Sequence, residues 1–128
     1  MNDKELLELA AKAAGYIINF NDYMVSSTEI EYWIEDSGRG RYWNPITDDG
    51  DALRLAVKLR LSFEADAPIQ IGFYPGIGGD YKSGCEAWIV DKEGNTKQAQ
   101  EVYGADPDAD TRRAIVRAAA EIGKAVGS

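Results

Sequence analysis

WNPITDDGDALRLAVKLRL, residues 43–61, places Asp48, Asp49 and Asp51 between an aromatic–Asn–Pro turn and an apolar run. Those carboxylates are either a site or the start of a helix. Asp48 stands where an N-cap side chain would accept hydrogen bonds from free backbone N–H groups. Asp51, three residues on, holds the capping-box position. Negative charge there also matches the positive end of the helix dipole, worth about 0.3–1 kcal/mol per group. Capping accounts for all three acids without a ligand. A calcium loop would need alternating oxygen ligands and a bidentate acid further on, and none follows at that spacing. In the helix that results, Leu53, Ala56, Val57 and Leu61 mark one face and Leu55 and Leu59 widen it. A helix apolar over most of its circumference is expected at the centre of the core.

Working outward, EIEYWIE at 29–35 alternates as a strand, with Ile30, Tyr32 and Ile34 on one face and Glu31, Trp33 and Glu35 on the other. SGRGR at 37–41 reads as a flexible turn carrying Arg39 and Arg41. YIINFNDYMV at 16–25 is a short strand or a loop, interrupted by Asn19, Asn21 and Asp22. At the front, Asp3–Ala14 is a helix: Leu6, Leu7, Ala10, Ala11 and Ala14 recur at helical spacing, Asn2 or Asp3 can cap it, and Gly15 suits its left-handed end. Beyond residue 61, Ala65–Pro68 break the pattern and IQIGFY at 69–74 is a strand. PGIGGDYKSG is a long turn, EAWIVD at 86–91 a strand, KEGN a hairpin turn and Thr96–Tyr103 the return strand. DPDAD at 106–110 caps a terminal helix with an apolar stripe of Ile115, Ala118, Ala119, Ile122 and Val126; Arg112, Arg113, Arg117, Glu121 and Lys124 line its other side. The order predicts one α+β domain, 1–128: a small antiparallel sheet of three to five strands with about three helices packed on one face.

Composition narrows the chemistry. With 128 residues, 45% hydrophobic and 28% charged, the chain suits an ordinary folded domain. No apolar run reaches the roughly 18 residues of a spanning helix. MNDKELLELAAKAAG lacks a basic stretch followed by an apolar one, so no secretory signal is expected. The single cysteine, Cys85, cannot build an internal disulfide and is expected to be a buried thiol. Together these favour a reducing cytoplasm. There are no histidines, which removes Ser–His and Cys–His nucleophiles and the common zinc sites. A net charge of −8, from 22 acidic and 14 basic residues, disfavours nucleic acid.

The remaining motifs reduce in the same way. Asp106, Asp108 and Asp110 mimic half an EF-hand loop, but Thr111 replaces its glycine and Arg117 its final acid, so a cap is favoured again. GIGGDYKS, 76–83, only superficially resembles a phosphate loop, because Tyr81 precedes Lys82 and a strand follows. Its expected use is a connection presenting Tyr74 and Tyr81. Trp33, Tyr42 and Trp43 flank Arg39 and Arg41, a mixture enriched at binding hot spots. The competing expectation puts Trp33 or Trp43 in the core. Phe20, Tyr23 and Trp43 are expected to seal the sheet against the helix after Asp48.

Three islands, 3–16, 43–61 and 109–126, resemble a family of small proteins encoded by tailed bacteriophages and prophages. The shared pattern is an N-terminal helix, the aromatic–Asn–Pro turn with its acidic run and Asp-Ala-Leu, and a last helix beginning near Arg-Arg-Ala. The resemblance brings no catalytic residues; it implies a phage origin and a life in the bacterial cytoplasm. The expectation is a non-enzymatic accessory protein that binds a host or phage protein through Trp33, Arg39, Arg41, Tyr42, Trp43, Tyr74 and Tyr81, with no cofactor, no metal and no membrane or nucleic-acid partner. The alternatives are a small metal-dependent enzyme using Asp48, Asp49 and Asp51, and a self-associating protein whose alanine-rich helices pack between subunits, a homodimer included.

Overall fold

The computed structural model describes residues 1–26, 29–74, 78–90 and 93–126; of Ser26, Glu29, 72–74, 78 and 79 it describes the backbone alone. The chain is α+β. Helix α1 (Asp3–Ala14) is followed by strands β1 (Ile17–Ser26), β2 (Glu29–Asp36) and β3 (Arg39–Trp43). Helix α2 (Asp49–Leu59) leads to β4 (Ser62–Tyr74), β5 (Gly78–Val90) and β6 (Thr96–Val102), and α3 (Pro107–Val126) closes the order. The strands form two antiparallel three-stranded sheets, β1-β2-β3 and β4-β5-β6, where the sequence suggested one. The α2 segment between β3 and β4 separates the two meanders.

The helix ends follow their sequence signals. Asn2 caps α1, its side chain accepting from the Glu5 N–H, and Gly15 closes it at φ 78°. Asp48 caps α2 by accepting from the Asp51 N–H at 2.8 Å. Pro107 opens α3, where a missing N–H costs nothing.

Three turns differ from expectation. Only Ser37 and Gly38, at φ 53° and 85°, make the β2–β3 turn. A two-residue turn with both φ positive matches strand twist, so Arg39–Trp43 pair with Tyr32–Asp36 instead of forming a loop. Ala65–Pro68 do not end a strand; β4 runs through them with a bulge at Asp66, φ 57°, whose N–H donates to the Tyr103 Oη at 2.9 Å. Pro68 is tolerated because β4 is an edge strand. The long turn shrinks likewise: β5 already pairs at Gly78, and 75–77 lie outside the described residues. Lys82 and Ser83 therefore stand in a strand ladder and not at a helix start, which removes the phosphate-loop geometry.

One core cluster draws on all three helices and both sheets. Its central helix is α3, which packs against α1, α2, β5 and β6. Ala10, Ala11 and Ala14 of α1 are buried, as are Ala114, Ala118 and Ala119 of α3. The two helices cross so closely that a Cβ on Gly123 would collide with the Leu9 carbonyl. The alanine faces that might have joined subunits are thus consumed within the chain.

Helix α2 is not central. Its buried stripe is Ala52, Leu55 and Ala56, with Leu59 partly covered, while Leu53 and Val57 are 55% and 68% exposed. The two stripes differ by one residue of phase. Asp51 selects between them: its carboxylate is buried and accepts from the Asn44 N–H at 2.9 Å, which turns the Asp51–Leu55 side inward. Val126, also expected on a buried stripe, is exposed, as is Tyr23. Phe20 and Trp43 do pack on the core.

Candidate functional site

The aspartates of the opening stretch diverge. Asp48 caps α2. Asp51 does not reach back to the Asp48 N–H as a capping box would; it joins Asn44 to Arg54, whose Nη2 donates to Oδ1 at 2.6 Å. Asp49 leaves the helix end and receives Arg112 of α3 at 2.6 Å. Capping therefore explains Asp48, and tertiary contacts explain the other two. Among the described residues no group of three or more acidic or sulfur side chains is placed to hold a metal ion.

Asn44 is the hinge of this region. Its Nδ2 donates to the Ile30 carbonyl at 2.6 Å and its Oδ1 accepts from the Ile46 N–H at 2.9 Å. Its carbonyl accepts from Thr47 and Asp48. An aromatic–Asn–Pro turn thus fastens the ends of β2 and β3 to the start of α2, with Trp43 and Pro45 fully buried beside it.

In the second cluster Asp106 accepts from the Ala109 N–H at 3.1 Å, a cap, and Asp110 accepts from the Gly104 N–H at 2.7 Å. Cys85 is buried nearby, and burial pushes its thiol pKa above the ordinary value, outweighing a hydrogen bond with Thr111. Tyr103 and Thr111 share a hydrogen bond of 3.3 Å. A hollow of about 280 Å³ opens beside them, lined by Leu53, Phe63, Ile115 and Arg112 among others.

The aromatic–arginine segment splits across the two faces of β3. Trp33 and Tyr42 pair on the outer face, ring centroids 5.2 Å apart and edge-on, both half-buried. The indole lies across Gly40, where any Cβ would collide with it. Trp43 and Arg41 point the other way. Trp43 is wholly buried against Tyr16, centroids 5.8 Å apart, and offers no area to a partner. Arg41 lies over the Tyr16 ring at 5.5 Å, and Arg39 is exposed opposite Asp36. Tyr81 is exposed on β5, opposite Gln70; the Tyr74 side chain lies outside the described residues. The six of the seven whose side chains are described are divided among the core, the two faces of the β1-β2-β3 sheet and β5.

The sequence did not single out what the structure gathers around Tyr16. Lys58 of α2 also lies over that ring, 5.7 Å from its centroid. Tyr16, Asp36, Arg41, Leu53, Arg54, Val57 and Lys58 line an open, mostly apolar hollow of about 360 Å³. Leu53 borders this hollow and the 280 Å³ one, so the outer side of α2 is a ridge between two depressions. The signal was present in the sequence as two neighbouring pairs one turn apart, Leu53–Arg54 and Val57–Lys58, which no single buried face can absorb.

No family model, curated protein or solved structure matches the chain. The outer side of α2 therefore has to be judged on its own chemistry. It offers the apolar area of Leu53 and Val57 bordered by Arg41, Arg54, Lys58 and Asp36.

Proposed function

We propose that this protein works by binding another protein through the outer side of α2 and the adjoining face of β3, without catalysing a reaction. The observation that carries this is the exposure of Leu53 and Val57, 55% and 68%, side by side in a rim of Asp36, Arg41, Arg54 and Lys58. Apolar side chains bordered by charge are the usual composition of an interface core and its rim. Trp33 and Tyr42 on the opposite face of the sheet are a smaller contact, already satisfied by each other. The acidic cluster lends the metal-dependent alternative no support, since each of its carboxylates is engaged elsewhere. Self-association through the alanine-rich helices lacks its surface, because α1 and α3 spend those faces on one another.

The setting we propose is a bacterial cytoplasm, with a phage or host protein as partner. It rests on the resemblance of 3–16, 43–61 and 109–126 to phage and prophage proteins. In the structure these islands are α1, the Trp43–Leu61 turn and helix, and most of α3, so the likeness covers the core scaffold. No helix among the described residues is long and apolar enough to cross a membrane.

Leu53→Gln combined with Val57→Gln tests the reading. Both positions are exposed and glutamine is a good helix former, so the circular dichroism spectrum should not change. The immobilised native chain should retain a stoichiometric protein from bacterial lysate, and the double variant should lose it. Equal retention by both would move the interface elsewhere, and no retained protein would remove the reading.

A further inference from the structure

We draw no further inference here: the strongest candidate, the outer face of the β4-β5-β6 sheet where Glu64 and Glu86 stand directly opposite each other two residues along β5 from Trp88, is an acidic pair beside an aromatic side chain, and nothing in the structure shows what covers it.

Discussion

TDDGD at 47–51 and DPDAD at 106–110 look alike: three aspartates in five or fewer residues, each at the start of a helix. Their energetics differ. In the first, Asp51 is only 4% exposed and its carboxylate ties the β3 end and Arg54 to α2. In the second, Asp106 and Asp108 are exposed, and the cap serves its own helix and little else. A capping signature reports the helix end; it does not report what packs behind that end. For α2 the whole β2–β3 hairpin stands there, hooked through Asn44 to the Ile30 carbonyl.

The largest effect expected from this contrast is at Asp51. Asp51→Ala leaves the Asn44 N–H buried without its acceptor and releases Arg54, which is exposed enough to be solvated. The cost should be about 3 kcal/mol, combining an unsatisfied buried donor with two lost charge-assisted bonds. Urea unfolding at an unchanged m-value measures it, and Asp51→Asn should recover roughly half by restoring an acceptor. A loss under about 1 kcal/mol would make the two clusters equivalent. Asp48→Ala comes next. It removes one cap bond and a 3.8 Å contact with a half-exposed arginine, so about 1 kcal/mol is expected, nearly all from the cap. Asp106→Ala should be smaller, about 0.5 kcal/mol, because Pro107 fixes the first helical residue whether or not the cap is present.

The same contrast shows what the chain made legible. The span of α1, the start of α2 and the Gly94 turn were readable because each depends on a few adjacent residues. The α+β class followed from the order of those elements. The rotation of α2 was not readable. Stripes through Leu53 and Val57 or through Ala52, Leu55 and Ala56 are both apolar at helical spacing, and a contact from Asp51 to Asn44 decides between them. For the same reason the surface around Tyr16 was hidden: it joins Tyr16 between α1 and β1, Asp36 at the end of β2, Arg41 in the middle of β3 and the outside of α2, which no local pattern brings together. The division into two sheets, and the bulge that carries β4 through Ala65–Pro68, likewise depend on partners distant in sequence, Tyr103 among them.

The smallest effect tests whether the two clusters are separate at all. Arg112 of α3 bridges them, donating to Asp49 at 2.6 Å and to the Ile46 carbonyl at 2.8 Å. Its side chain is 16% exposed, while that of Asp49 is 76% exposed. Solvent screens a pair with one end so open, so a double-mutant cycle of Asp49→Ala and Arg112→Ala should give a coupling of about 0.3–0.5 kcal/mol. Arg112→Ala alone should cost more than that, because the Ile46 carbonyl loses its donor too, whereas Asp49→Ala alone should be nearly silent. A coupling above about 1.5 kcal/mol would mean that the helix starts stand or fall together. The first cluster's buried aspartate would then not be what sets it apart, and the Asn44 turn would be one end of a network reaching across α3.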